Sequence, residues 1–383
     1  MNISRQVAIA GIGEADPRPV PGRTSLELNA IATRAALADA GLRKEDVDGV
    51  LTAYSLIEPY GMYSSVYCEY IGIQPRYNAQ LTVGGATPCI LVGHAAAAVA
   101  AGLADTVLVT WGDNRASGAS RDAIVSKVVD MAGHPQFEHP YGVLIASLYA
   151  LMARRHMHEY GTTPEQLAEV AVTFRRHAGL NPNALMRQPI ATADVLNSKM
   201  IATPLHLLDC CLVSDFGGSL IVTSAERARD LKQKPVYILG IGEGHTHEHI
   251  SQAPTLVSSG AKRSGELAFS MAGLTPADVD VAELYDCFTI TVLIELEDLG
   301  FVKKGEAGAF VESGAIGLGG KLPVNTYGGM LSAVNGGIFH IIEAVRQVRG
   351  EAGPRQVAGA KIALAHNEGG ILSTNGTLIL GVD

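Results

Sequence analysis

The sequence predicts an α/β fold built from two duplicated halves, and three observations carry that prediction. The first is an internal repeat: Asp39-Ala40-Gly41-Leu42 to Val47-Asp48 returns as Ala272-Gly273-Leu274 to Val279-Asp280, aligning Gly41 with Gly273 and Asp48 with Asp280. The second is what flanks each copy. A glycine-punctuated apolar run comes before it (Val7 to Gly13, Val236 to Gly242), and another apolar run follows (Val50 to Ala53, Val281 to Leu284). Strand, helix, glycine turn and strand occurring twice indicate paired α/β units. The third is composition: 383 residues, 47% apolar and 17% charged, suffice for two cores. The expected halves are residues 1–230, with an insertion at about 112–210, and residues 231–383. If both halves share one interior, the layers stack as a five-layer α-β-α-β-α sandwich.

The elements follow in order. A helix over 24–40 opens at Thr24 or Ser25, which are cap-forming residues, and ends at Gly41. A strand at 47–53, a helix near 62–72 and a strand near 77–81 come next. The Ala-rich segment 86–101 is apolar nearly all round, so it predicts a helix buried between sheets. After a strand at 105–111, the polar stretch 112–140 is too long for a plain connection and reads as a functional loop. Residues 141–210 read as helical and as a lid, and 219–224 as a closing strand. The second half predicts strand 236–242, helix 262–272, strand 279–285, helices 289–299 and 335–349, and strands 361–366 and 375–381.

Composition excludes several function classes. A net charge of −9 and the lack of a basic patch argue against nucleic acid. No apolar stretch reaches spanning length and Met1-Asn2-Ile3-Ser4 runs straight into a strand, so the expected location is the cytoplasm, off the membrane. Cys68, Cys89, Cys210, Cys211 and Cys287 form no Cys-x-x-Cys pair and read as reduced thiols, with Cys210 and Cys211 as small buried hydrophobes. His245, His247 and His249 would share one face of a strand, but a solvated loop after Gly244 is the preferred reading, and no metal site is expected.

Four segments carry a family resemblance. Thr82-Val83-Gly84-Gly85-Ala86-Thr87, the helix to Gly102 and the strand Asp105 to Val109 resemble the nucleophile loop, helix and following strand of thiolases. Leu284-Tyr285-Asp286-Cys287-Phe288 resembles the Asn-Glu-Ala-Phe motif, Asn325-Thr326-Tyr327-Gly328-Gly329 the Asn-x-x-Gly-Gly motif, and His366-Asn367-Glu368-Gly369-Gly370 the Cys-x-Gly-Gly-Gly motif. Leu208-Asp209-Cys210-Cys211 and Val222 to Lys232 are most similar to the sterol-carrier-protein-type branch, and there to steroid side-chain aldolases of the lipid-transfer-protein type. The resemblance spans roughly residues 5 to 382. It implies the thiolase fold, a CoA thioester as substrate, no tightly bound cofactor, a homodimer, and a small zinc-ribbon, OB-fold partner.

The site is then read position by position. Counting back from Gly102 places the thiolase nucleophile at Gly85, and a glycine cannot form an acyl-enzyme. Gly85 offers a backbone N–H at a helix N-terminus for an oxyanion, or serves only close packing. Cys89, one turn further on, reads as buried. Tyr285 stands where thiolases have asparagine and matches the first catalytic tyrosine of the aldolases. Its phenol suits hydrogen-bond donation and proton relay better than base catalysis. Asp286 can turn inward at the strand end. After Gly328-Gly329 the pattern wants histidine or a second tyrosine, and the count gives Asn335, which cannot act as a base but whose amide can donate to a thioester or substrate oxygen; Tyr327 is the alternative phenol. His366 replaces the second thiolase cysteine and can act as acid/base near neutrality, or be a satisfied core histidine. Glu368 is expected to orient His366 or line the entrance, beside Gly369.

Three readings of function stay open on the sequence. The first is a carbon–carbon lyase of the retro-aldol type, or its reverse, on a CoA thioester. The second is an acyltransferase or acetyl-CoA acetyltransferase-like thiolase subunit that works with a partner. The third is a non-catalytic acyl-CoA-binding scaffold. Steroid, aromatic and branched short acyl groups all fit.

Overall fold

A computed structural model describes residues 3–58 and 60–383. The first half runs β1 (Val7–Glu14), α1 (Ser25–Ala40), β2 (Gly49–Thr52), α2 (Tyr63–Ile71), β3 (Tyr77–Gln80), α3 (Thr87–Ala100) and β4 (Thr106–Asn114). A mostly helical excursion follows: α4 (Arg115–Gly118), α5 (Arg121–Ala132), α6 (Ile145–Tyr160), α7 (Pro164–Gly179), α8 (Thr192–Leu196) and the hairpin β5 (Met200–Ala202) and β6 (Leu205–His206). The chain re-enters the sheet with β7 (Asp215–Ser224). It continues through α9 (Ala225–Arg229), β8 (Val236–His245), α10 (Ala261–Ala272), β9 (Val281–Leu284), α11 (Thr289–Asp298), α12 (Ala307–Glu312), α13 (Ile338–Arg349), β10 (Ile362–Gly369) and β11 (Thr374–Gly381).

The strand order is β3-β2-β4-β7-β1-β8-β11-β10-β9. Read outward from the centre, β1-β7-β4-β2 is matched by β8-β11-β10-β9. Only two residue pairs, Ala8 with Tyr237 and Ile9 with Val236, join β1 to β8. The two half-sheets thus meet at a narrow seam. Helices α3 and α13 each pack on strands of both half-sheets, while α1 covers β1, β4 and β7, and α10 covers β8 and β11. The helices and half-sheets therefore alternate as α-β-α-β-α.

The repeat has a physical content. Gly41 and Gly273 are both left-handed (φ 73° and 68°) and end α1 and α10, as a helix C-terminus favours. Asp48 accepts the backbone N–H groups of Asp105 (2.9 Å) and Thr106 (2.8 Å), and Asp280 those of Lys361 (2.8 Å) and Ile362 (2.9 Å). Each carboxylate thus fastens the start of the neighbouring parallel strand. A Cβ at Gly13 would overlap the Ala32 carbonyl of α1, and one at Gly242 the Ser264 carbonyl of α10. These glycines let a helix lie directly on its strand. Alternate residues of the strands feed two cores: Val7, Ile9, Val107 and Val109 face α3 and α13, whereas Ala8, Ala10 and Leu108 face the outer helices.

Some expectations fail in detail. The stretch 112–140 is not a loop: β4 runs on to Asn114, paired with Asp215, and α5 opens on Ser120, whose Oγ accepts the Ala123 N–H at 3.2 Å. The stretch 141–210, expected to be helical, includes a hairpin beyond its helices. Helix α13 starts at Ile338 instead of 335, because Gly329–Ala333 form a π-helical turn and Gly336 (φ 115°) then redirects the chain. Among the described residues no helix is long and apolar enough to cross a membrane.

Candidate active site

A cavity of about 320 Å³ opens at the C-terminal ends of β4, β9 and β10, the end of an α/β sheet where sites assemble. Tyr54, Trp111 and Ile145 give it apolar wall. Gly85, Arg115, Tyr149, Tyr285, Cys287 and Glu368 supply its chemistry.

Tyr285, half-buried just beyond β9, faces Gly85. A Cβ built on Gly85 would overlap both the hydroxyl and the ring of Tyr285, and also the Glu368 carbonyl. The phenol therefore fills the space that a side chain at position 85 would enter. Burial, with Cys287 and Glu368 adding to it, holds the Tyr285 pKa well above its usual value. Tyr285 is thus a neutral phenol, fit to donate a hydrogen bond and unfit to act as a base. Gly85→Ala should displace this ring; we expect turnover to fall by about 10²-fold or more, with near-UV circular dichroism reporting the moved tyrosine.

Opposite it, the Glu368 carboxylate accepts the Tyr149 hydroxyl and, at 3.1 Å, the Cys287 thiol, while its Oε2 accepts the Leu372 N–H at 3.0 Å. Burial outweighs these bonds and pushes its pKa up to about 7. Near neutrality Glu368 exists in both protonation states, which is what a group that takes and returns a proton needs. Tyr149 comes from α6 and stacks on Phe288 at 4.5 Å between centroids, which fixes the phenol that holds Glu368.

Arg115 provides the positive charge. Its Nε pairs with buried Asp113 at 3.2 Å, and one Nη donates to Asn335 Oδ1 at 3.0 Å. The guanidinium also lies over Trp111 and Phe216, at 5.5 and 5.1 Å from the ring centroids. Asp113 is fixed in turn by the Ser55 hydroxyl (2.7 Å) and the Leu56 N–H (2.8 Å). The cation is held at the end of β4, so it offers a preorganised partner for a developing negative charge.

Several residues expected in the site lie elsewhere. His366 does not reach the cavity. It sits one pleat deeper along β10 than Glu368, its Nδ1 2.8 Å from Thr377 Oγ1 and its Nε2 3.1 Å from Asn375 Oδ1. Burial pulls its pKa down to about 3, so it is a satisfied neutral core histidine. Asn335 is near but committed: its amide donates to the Leu212 carbonyl at 2.8 Å and accepts from Arg115, leaving it to position the guanidinium. Asp286 accepts the Met330 and Leu331 N–H groups (2.8 and 3.0 Å) and lies 3.2 Å from His340 Nε2. Its carboxylate stabilises the π turn. Gly329 leaves room for that carboxylate and Gly328 for Ala178. Neither glycine lines the cavity. Tyr327 lines a separate depression beside Glu14 and Arg346. Gly369 does line the site, where a Cβ would overlap the Val83 carbonyl, so it lets the loops of the two halves touch.

Sequence reasoning missed Arg115, Tyr149 and Cys287. For Arg115 a signal existed, since it directly follows an apolar strand, where α/β sites gather. Tyr149 had none. Cys89 is buried with its Sγ 3.8 Å from the Ala365 carbonyl, away from the cavity. Cys210 and Cys211 are half-buried and line a second cavity. His245 ends β8, and among the described residues no group of three or more His, Cys, Asp or Glu could hold a metal ion.

Comparison with known proteins agrees with this architecture. Residues 242–382 match the family described as Thiolase C-terminal domain-like. A 17-hydroxy-3-oxo-4-pregnene-20-carboxyl-CoA lyase of Mycobacterium tuberculosis is 40% identical, over 99% of this chain and 100% of the relative. An acetyl-CoA acetyltransferase of Methanothermobacter thermautotrophicus is 35% identical over 97% and 98%. Among solved structures, the Ltp2-ChsH2(DUF35) aldolase superposes with a TM-score of 0.90 at 37% identity, covering 100% of this chain and 99% of that one. The chain belongs to the thiolase superfamily, in the branch that holds the steroid side-chain-cleaving aldolases.

Proposed function

We propose that this enzyme cleaves a carbon–carbon bond of a β-hydroxyacyl-CoA thioester by a retro-aldol step, without an acyl-enzyme. The observation that carries this reading is the Tyr285 phenol occupying the space beside Gly85, where a thiolase would need a nucleophile. Glu368, as carboxylate, takes the proton of the β-hydroxyl. The oxygen's electron pair becomes the new carbonyl, the Cα–Cβ bond breaks, and its electrons move into the thioester as an enolate. The Tyr285 hydroxyl and the Arg115 cation stabilise the enolate oxygen. Glu368 returns its proton to the α-carbon, so a ketone or aldehyde and a shortened acyl-CoA leave with atoms and charge balanced. Tyr149 and Asn335 act as positioning residues, through Glu368 and Arg115.

The acyltransferase reading draws support from relatives named as acetyl-CoA acetyltransferases, but it would need a nucleophile. Cys287 is the thiol at the cavity; burial and the neighbouring Glu368 hold its pKa well above normal, which disfavours the thiolate. Incubated with an acyl-CoA, the protein should therefore show no acyl mass on any cysteine, and Cys89→Ala should keep turnover. An acyl adduct by intact-mass spectrometry would refute this.

We infer that residues 1–230 and 231–383 form the two thiolase halves and that the chain works as a homodimer with a small zinc-ribbon, OB-fold partner. The family resemblance supports both, and the paired name of the Ltp2-ChsH2(DUF35) structure supports the partner. The test of the reaction is its dependence on free CoA. Cleavage of a β-hydroxyacyl-CoA should proceed with no CoA added, whereas a strict requirement for free CoA would point to thiolysis.

A further inference from the structure

Arg115 also lines a second cavity, of about 460 Å³, whose wall is otherwise mostly apolar: Leu207, Leu208, Leu212 and Leu331 among others. Met186 and Val213, 46% and 36% exposed, mark where it opens to solvent. Among the described residues its one further charge is Arg175 of α7, only 7% exposed. Arg175 Nε donates to Ser332 Oγ at 2.8 Å and one Nη to the Gln188 carbonyl at 3.4 Å. Among the described residues no carboxylate lies within ion-pairing distance of it. Other enclosed arginines differ: Arg115 has Asp113, Arg346 has Glu14, Arg349 has Asp39 and Arg355 has Glu343. Burial alone acts on the Arg175 pKa, drawing it down with no anion to offset the cost. A buried cation persists when something pairs with it.

We propose that this cavity binds an apolar carboxylic acid, with the carboxylate on Arg175 and the hydrocarbon against the leucine wall. The charge of Arg115 is already matched by Asp113, so among the described residues the site presents a single uncompensated positive charge, that of Arg175. That suits a monoanionic carboxylate better than a phosphate dianion. The acid is either the far end of the substrate's own acyl group, reached past Arg115, or a separate molecule. The first alternative rests on the retro-aldol reading; the second does not.

The test is calorimetric titration of the full chain with 3-phenylpropionate and with its neutral amide. The acid should bind at least about 10-fold tighter than the amide and lose a similar factor in Arg175→Met, as a charge-assisted pair implies. Arg175→Lys should retain part of it. Should Arg175→Met fail to fold, Val213→Trp, which fills the opening and keeps Arg175, should abolish binding with an unchanged circular dichroism spectrum. Equal binding of acid and amide, or acid binding that survives Arg175→Met or Val213→Trp, overturns the proposal. The source is read from turnover of a β-hydroxyacyl-CoA ending in a carboxylate against its methyl ester. A preference for the acid that disappears in Arg175→Met places the carboxylate on the substrate. Equal turnover with intact 3-phenylpropionate binding assigns a separate acid. Intact acid binding with neither thioester cleaved supports the cavity proposal and contradicts the retro-aldol reading instead.

Discussion

Glu368→Gln should lower kcat by about 10³-fold, within the span general acid–base groups contribute, and should remove the rising limb of the pH–rate profile. In the wild type the carboxylate must be ionised to take the hydroxyl proton, and its pKa is pushed up to about 7 by burial. Turnover should therefore climb as pH rises through about 7 and then level. The same shift leaves a mark on stability. Between the ordinary glutamate value and about 7 the folded chain holds a proton that the unfolded chain has lost, so stability falls as pH rises across that window. Over that span a fully buried carboxyl costs roughly 3 kcal/mol. Glutamine does not titrate. From pH 5 to pH 8 the wild type should lose melting temperature relative to Glu368→Gln, and parallel melting curves would contradict the burial account.

Arg115→Met should cost about 10²- to 10³-fold in kcat/KM, the loss seen when one oxyanion partner is removed. It should also destabilise the fold by about 3–5 kcal/mol, because Asp113 is fully buried and would lose its counter-charge. Arg115→Lys separates the two effects. An ammonium can meet Asp113 but cannot also supply the flat fork that reaches Asn335 Oδ1 and lies over Trp111 and Phe216. Most of the melting temperature should return and only part of the turnover. Full recovery of turnover in Arg115→Lys would mean that charge alone matters and that Asn335 positions nothing.

Much of the fold was legible because it depends on local chemistry. Gly41 and Gly273 stop their helices by backbone conformation, and Asp48 and Asp280 mark equivalent strand starts, so the duplication shows in the sequence itself. Gly85 and Tyr285 were legible for the same reason: each sits at a fixed step from a turn. His366 and Glu368 were harder. They lie on the same face of β10, and which one reaches the cavity depends on where the strand leaves the core, set by Thr377 and Asn375 of β11. Tyr149 meets Glu368 across 219 positions of chain, a contact of tertiary packing that no spacing reveals. Arg115 was hidden in a stretch whose polarity suggested a loop. The amide of Asn335 points where Leu212 and Arg115 hold it, and both come from the other half of the chain.

The most direct measurement of the central claim is product labelling in heavy water with no free CoA, using a β-hydroxyacyl-CoA that the enzyme turns over. A retro-aldol step that ends with proton return to the α-carbon should leave one solvent deuterium at that carbon of the shortened acyl-CoA. Glu368→Gln should form this product about 10³-fold more slowly. Cleavage that leaves the α-carbon unlabelled, or that proceeds at full rate in Glu368→Gln, would contradict the account.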